Sequence, residues 1–339
     1  MTGDKTTGNI KQNSLKAWIA AVRPRILAIA CVPMIISMAY EYSYVYEALR
    51  PIPPDDGWYY AYVAILGICY LFFMVMQIDA VFISDYLNCV HGKYTDTPLQ
   101  PKRACAKGWV SLKAMRWAIG ITSVLALLTA FPLVMTICLG VGIWGLIFIC
   151  VAGYSTCFVY TKYLWLRDLL VIVFYGLVPV YGIYFMLSED IADVSVYLLA
   201  IACGMAVDTL FIIKDYRDID IDRHAGRRTL AVILGRKNTE VIYLAIVPLA
   251  ALLTVCAVPT LFSLITLTIL SVLHYFTFRR MKAVGQGKTL DYVKEGLNPI
   301  IRMTAVNIFL FSILTALPIL SMSVPPLFRI IMMWEIHPF

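Results

Sequence analysis

The chain has 339 residues, 61% of them hydrophobic and 14% charged, with a formal net charge of +7 and a mean hydropathy of +0.79. Soluble domains carry roughly 45–50% apolar and about 25% charged residues, so a soluble fold is excluded; the apolar runs are continuous rather than alternating, which also excludes a transmembrane barrel. The basic excess follows a membrane topology and is no nucleic-acid signal, and nine cysteines without a C-x-x-C pair indicate neither a disulfide framework nor a metal cage.

Residues 1–15 are polar and Lys-bearing, without the apolar core or small-residue cleavage site of a signal peptide. Nine membrane-crossing helices are expected, at 17–40, 59–84, 113–135, 137–158, 168–188, 194–213, 240–258, 260–278 and 303–323, each near the roughly 20 residues that cross a bilayer. The third and fourth, and the seventh and eighth, adjoin closely enough to read as helical hairpins, the latter turned at Pro259. Residues 325–339, with Arg329 and Trp334, are too short to span; they read as an interfacial segment or a frayed apolar tail. The whole chain, 1–339, is expected to be one transmembrane domain.

Charge orients the bundle. The N-terminal flank and the start of the first span carry Lys5, Lys11, Lys16, Arg23 and Arg25. Lys93, Lys102, Arg103, Lys107 and Lys113 follow the second, Lys162 and Arg167 the fourth, and Lys214, Arg217, Arg223, Arg227 and Arg228 the sixth. The opposite loops hold Glu41, Glu47, Arg50, Asp55 and Asp56, and Glu189, Asp190 and Asp193. Basic loops mark the cytoplasmic side, so the N-terminus is expected inside and, after nine spans, the C-terminus outside.

Two acidic segments end the second and sixth spans. The second is Asp215-x-x-Asp218-x-x-x-Asp222, whose spacing of three and four sets all three carboxylates on one helix face, with Asp220 turned away. Clustered carboxylates repel unless a cation lies between them. Magnesium suits such a site, because it binds through a few carboxylates together with substrate phosphates. The bland account is a solvated face paired with Arg217, Arg223 and Arg227. Lys102, Arg103, Lys162, Arg227 and Arg228 are candidates for phosphate oxygens, Arg as a fork and Lys as a point charge, although topology alone also places basic residues there. Asp79 and Asp208 lie within spans, where an ionisable group costs a few kcal/mol and is a functional candidate by default.

The second segment continues to Gly226-x-x-Thr229-Leu230-Ala231-Val232-x-Leu234-Gly235 and resembles the second signature of the UbiA prenyltransferase superfamily, most nearly its menaquinone-type branch. Ser84-Asp85-Tyr86-Leu87-Asn88, Gly92 and Leu99-Gln100-Pro101-Lys102-Arg103-Ala104 are similar to that branch's first signature. Trp18, Arg23-Pro24, Tyr160-Thr161, Asp168-Leu169 and Phe174-Tyr175-Gly176-Leu177 also fit. Ser84 stands where the family has Asn, Asn88 where it has Asp, and Tyr94 where the branch has an acidic residue, with Asp96 close by. Ser and Asn oxygens still ligate magnesium but bring no charge.

The resemblance implies an all-α bundle of nine transmembrane helices around a central lipid-facing cavity, in a bacterial inner membrane. It implies Mg2+ held by Asp215, Asp218, Asp222, Ser84, Asp85, Asn88 and Asp96, and a polyprenyl pyrophosphate donor held by Arg23, Lys102, Arg103, Lys162, Arg227 and Arg228. Tyr154, Phe174, Tyr175, Tyr181 and Tyr184 are available to face an allylic cation, or simply to pack. An aromatic acceptor such as 1,4-dihydroxy-2-naphthoate would be alkylated, with Asp208 or Asp79 taking the ring proton. A terpene cyclase of the same fold and a non-catalytic lipid-binding or transport relative are the alternatives.

Overall fold

The computed structural model describes residues 10–49, 56–90, 104–136, 164–188, 193–224, 226–287 and 289–322. Over these residues every regular element is helical, as a chain in hydrocarbon requires, since lipid cannot satisfy the backbone's polar groups. The order is α1 (Leu15–Val22), α2 (Pro24–Leu49), α3 (Asp56–Val90), α4 (Leu112–Thr136), α5 (Leu164–Ile172), a π-helical turn (Val173–Leu177), α6 (Val178–Ser188), α7 (Val194–His224), α8 (Leu230–Ala257), α9 (Leu261–Gly285) and α10 (Leu290–Ser321).

Seven helices among the described residues are long and apolar enough to cross a membrane, not the nine expected. The expected span at 17–40 is divided at Arg23, whose backbone is left-handed (φ 55°), leaving an eight-residue α1 and a separate α2 that carries Pro33 and Glu41. The expected span at 137–158 and the tail at 325–339 lie outside the described residues. Elsewhere the spans agree in place. The main difference is that α7 does not stop at 213 but runs unbroken to His224. The acidic segment therefore forms the last two to three turns of this helix.

α7 is the centre of the bundle. It is buried along its length, from Val196 to Asp222, and packs against α2, α5, the π turn, α6, α8 and α10. Its middle reads Ala200, Ala202, Cys203, Gly204 and Ala206, all buried; small residues let neighbouring backbones approach where lipid offers no hydrophobic drive. The approach is closest at two glycines. A Cβ on Gly204 would collide with the backbone of Ile172, and one on Gly176 with the backbones of Ala200 and Gly204. This contact fixes α5 and the π turn against α7.

α3 and α4 form a second layer. α1 tucks beneath it, with Trp18 edge-on to Phe82 (5.8 Å) and Ala17, Ala21 and Met115 buried between. The preceding segment is pinned to the loop before α4 by Asn13 N–H to Trp109 O (2.7 Å) and Ser111 N–H to Asn13 Oδ1 (3.1 Å).

Candidate functional site

The row Asp215, Asp218, Asp222 lies on successive turns of α7, within electrostatic range of one another. The chain after it reverses at Gly226, left-handed at φ 67°, with Arg227 N–H returning to Asp222 O (2.8 Å). A left-handed glycine just past a helix end is the usual way to stop one. Thr229 then caps α8, its hydroxyl accepting from Val232 N–H (3.3 Å). Gly235 breaks the new helix again at φ 78°. Gly226, Thr229 and Gly235 thus shape the turn that follows the carboxylate row at this end of the bundle.

Each carboxylate of the row meets an arginine. Asp218 takes a two-pronged contact from Arg217 (2.9 and 2.7 Å), Asp222 is bonded by Arg227 (3.2 Å), and Asp215 pairs with Arg167 of α5. Asp220 faces the other way, to Arg236 of α8 (2.6 Å), as its place in the register requires. Among the described residues no three carboxylate, His or Cys groups form a ready cage for a metal. The donors nevertheless suit magnesium in its usual mode, in which one or two carboxylates hold the ion and phosphates and water complete the shell.

Deeper along α7 is a second group. Arg167 also bonds Asp168 (2.9 Å), and Asp208 lies within interaction range of Asp168, Arg167 and Asp215. Two cations approach the Phe211 ring, the Arg167 guanidinium 5.4 Å from its centre and the Lys214 ammonium at 5.2 Å. Arg23, Arg167 and Arg217 all act electrostatically on Lys214, so four basic side chains from α2's start, α5 and α7 converge beside the row. Sequence reasoning placed Arg23 here but missed Arg167, Asp168, Lys214 and Phe211 as a group. In the sequence Arg167 and Lys214 fit the positive-inside pattern, and no spacing rule relates α5 to α7.

Asp79 is held by hydroxyls of α4, Thr122 Oγ1 (2.5 Å) and Ser123 Oγ (3.0 Å), apart from Asp208. Asp85 accepts from Cys105 N–H (3.4 Å), and Ser84 is half-buried on the same helix. Among the described residues α3 has no extended packing with α7; the two connect through Gln77, which accepts from Tyr175 OH (2.8 Å), and through Tyr175 against Phe211 (6.4 Å). Phe174 is half-buried on the π turn. Tyr181 stacks on Tyr197 (5.1 Å) and Tyr184 meets Tyr40 edge-on (5.9 Å), farther along the bundle. Arg228 is exposed. The Asn88 side chain, Asp96, Lys102, Arg103, Tyr154 and Lys162 lie outside the described residues.

A model of the UbiA prenyltransferase family matches residues 54–290, well over half of the chain. The chain belongs to the UbiA prenyltransferase family. It is 26% identical over 245 residues to a 1,4-dihydroxy-2-naphthoate octaprenyltransferase of Haemophilus influenzae, covering 70% of this chain and 75% of that one. It is 27% identical over 232 residues to the Escherichia coli enzyme of the same name, covering 66% and 70%. Among solved structures, an apo UbiA homologue from Aeropyrum pernix K1 superposes with a TM-score of 0.55 at 18% identity, covering 84% of this chain and 96% of that one. A UbiA homologue from Archaeoglobus fulgidus, bound to GPP and Mg2+, superposes with a TM-score of 0.51 at 14% identity, covering 90% and 99%. These likenesses agree with the bundle as a UbiA fold.

Proposed function

We propose that this protein moves a polyprenyl group from its pyrophosphate to an aromatic quinone precursor such as 1,4-dihydroxy-2-naphthoate, in a magnesium-dependent reaction. The observation that carries the proposal is the meeting of Arg23, Arg167, Lys214 and Arg217 beside the carboxylates of α7. Clustered cations next to clustered carboxylates at a membrane surface match a diphosphate that arrives with a divalent ion. The acceptor is suggested by the two naphthoate prenyltransferases it resembles, and the donor and ion by the Archaeoglobus homologue's GPP, DMAPP and Mg2+.

Asp215, Asp218 and Asp222 are the residues to hold magnesium, with Ser84, Asp85, Asn88 and Asp96 as candidates on the other side. When bound, the ion neutralises charge that develops on the departing pyrophosphate. Arg23, Lys214 and Arg217 grip phosphate oxygens, joined by Arg227 and Arg228 and by Lys102, Arg103 and Lys162 of the loops. In the reaction the allylic C–O bond breaks and its electron pair leaves with pyrophosphate. An aromatic carbon then forms the new C–C bond, and the ring proton passes to a carboxylate, Asp208 or Asp79; that Asp208 lies beside Asp215 of the row favours Asp208. Tyr175 and Phe211 present aromatic faces where the cation forms. The basic flanks orient this mouth, and the N-terminus, toward the cytoplasm.

Purified protein in lipid nanodiscs, given a prenyl pyrophosphate with and without a dihydroxynaphthoate, tests the reading. Prenylated acceptor and pyrophosphate in equal amounts, both requiring magnesium, are expected. Cyclic hydrocarbon formed from donor alone, or no pyrophosphate release from donors of any chain length, would overturn it.

A further inference from the structure

The segment before α1 and the loop before α4, 98 residues apart in sequence, are fastened together at Asn13. Its N–H donates to Trp109 O (2.7 Å) and its Oδ1 accepts from Ser111 N–H (3.1 Å). The fastening gathers charge. Lys11 stands just before Asn13, Lys107 just before Trp109 and Lys113 just after Ser111, while Lys16 and Arg116 lie in the first turns of α1 and α4. All five are exposed, and among the described residues none is in an ion pair. Residues 10–23 and 104–120 hold no aspartate or glutamate. Asp85 meets the loop at Cys105 N–H (3.4 Å) but is 1% exposed, so it offers this surface nothing. Like charges gathered without a counter-charge call for an anion from outside.

Beside the charges lies exposed apolar surface. On α1, Ala17 and Ala21 are buried and Trp18 lies edge-on to Phe82, which turns Leu15 and Ile19 outward at 77% and 52% exposure. These two share a helix face, one turn apart. Trp117, near the start of α4, is 67% exposed. A helix that joins an apolar face to lysines lies in the plane of the membrane interface, and Trp is enriched at the same level. Because α4 is long and apolar enough to cross the membrane from Leu112 onward, its first turn, with Lys113 and Arg116, stands at the depth of the lipid head groups. Lys107 is held over the Trp109 ring, its ammonium 4.4 Å from the ring centre, a contact that fixes one cation of the group in place.

We propose that α1, the loop before α4 and the first turn of α4 form a docking surface for an anionic phospholipid. The lysines and Arg116 take the head-group phosphate, and Leu15 and Ile19 lie along the acyl chains. Basic residues at a membrane surface are drawn to lipids of net negative charge. A zwitterionic head group carries the same phosphate but brings an ammonium that the cluster repels, so the surface selects anionic lipid. The helix held in this way ends at Arg23, whose left-handed backbone turns the chain into α2. Arg23 in turn acts electrostatically on Lys214. The bound lipid thus steadies the helix that carries Arg23 to the edge of the carboxylate row, and it does so whether or not the prenyl-transfer reading holds.

The test is lipid binding to the full-length protein in a neutral detergent, read by native mass spectrometry. The protein is titrated with phosphatidylglycerol and with phosphatidylcholine of the same acyl chains. Phosphatidylglycerol is expected to bind about tenfold more tightly. In a variant combining Lys11→Gln, Lys16→Gln, Lys107→Gln, Lys113→Gln and Arg116→Gln, all at exposed positions, the preference is expected to fall to about twofold with the melting temperature kept. A second variant, Arg279→Gln with Arg280→Gln and Lys282→Gln, removes exposed cations from the end of α9, which Arg236 joins to α7 through Gly285 O and Asp220. It is expected to leave the preference intact. Equal binding of the two lipids to the unaltered protein overturns the docking surface. A comparable loss in both variants does so too, since it would mean diffuse charge and no built surface. Glycerol 1-phosphate, the anion without acyl chains, is expected to leave the lipid bound at equal concentration; full displacement by it would mean a phosphate site and would overturn the lipid assignment.

Discussion

Arg167 and Asp215, 48 residues apart in sequence, form an ion pair that joins the short α5 to the central α7. Asp215 is buried and Arg167 nearly so, their side chains 8% and 14% exposed. Removing one partner of a buried pair leaves an uncompensated charge and costs about 3–5 kcal/mol. Arg167→Ala strands two carboxylates, Asp215 and Asp168, and is expected to lower the melting temperature in detergent markedly. Adding Asp215→Asn to Arg167→Ala is expected to recover part of that loss. A double variant no more stable than the single one would mean the pair is not the tie it looks to be.

The carboxylate row separates function from scaffolding within five residues. Asp218→Ala and Asp222→Ala are expected to abolish pyrophosphate release, because each removes an oxygen ligand from the proposed ion site. Asp220→Ala breaks only the bond to Arg236, a pair about a third exposed on both sides; such pairs are worth about 0–1 kcal/mol. Its turnover is expected to stay within a few-fold of the parent. Near-parental release by either of the first two variants would remove the metal assignment.

Much of this was readable from spacing. Three aspartates at intervals of three and four had to share a face once α7 was helical, and the structure turns Asp220 to Arg236 and the others elsewhere. The span count was not readable in the same way. Arg23-Pro24 fits inside an apolar run, and only the left-handed backbone at Arg23 separates α1 from α2. Nor does sequence tell two buried aspartates apart. Asp79 and Asp208 each interrupt a span, yet Asp79 finds two hydroxyls on α4 and Asp208 finds Asp168 and Arg167. Tertiary partners decide such cases, and no periodicity within one helix reports them.

The first signature lacks the charge that the family pattern places at position 88. Asn88→Asp restores it at the end of α3, and a carboxylate binds magnesium more strongly than an amide oxygen does. Turnover is expected to rise, or the magnesium concentration for half-maximal rate to fall several-fold. A variant that is inert or slower on both measures would mean the site has been rebuilt around the neutral residue.

Cys105, in the loop ahead of α4, reports on Asp85. Burial chiefly, and then the negative charge of Asp85, push its thiol from the ordinary value of 9.0 up to about 12. The thiolate is the reactive form, so iodoacetamide is expected to label Cys105 slowly at pH 8 and faster with each step toward pH 11. A folded-state value above the unfolded one stabilises the fold below about pH 9, and that contribution is lost as pH rises toward 12. Asp85→Asn removes the raising charge and is expected to speed labelling at any fixed pH. Unchanged labelling would place the carboxylate too far from the sulfur to act on it.

The glycine contact between the π turn and α7 offers the sharpest structural test. A Cβ at Gly204 would overlap the Ile172 backbone, which has no flexible end to swing aside. Overpacking a tight interior costs about 1–3 kcal/mol, and here the strain is relieved only by moving α5 off α7. Because Arg167 and Asp168 lie about one turn before Ile172 on α5, the same movement withdraws them from Asp208 and Asp215. Gly204→Ala is therefore expected to lose stability and pyrophosphate release together. Gly182, one helix farther on, has nothing within 4 Å of an added Cβ, and alanine favours a helix over glycine by about 0.8–1.0 kcal/mol. Gly182→Ala is expected to melt at or above the parent temperature with unchanged pyrophosphate release. If Gly204→Ala instead behaves like Gly182→Ala, the close approach that aligns α5 with α7 is not what positions the site.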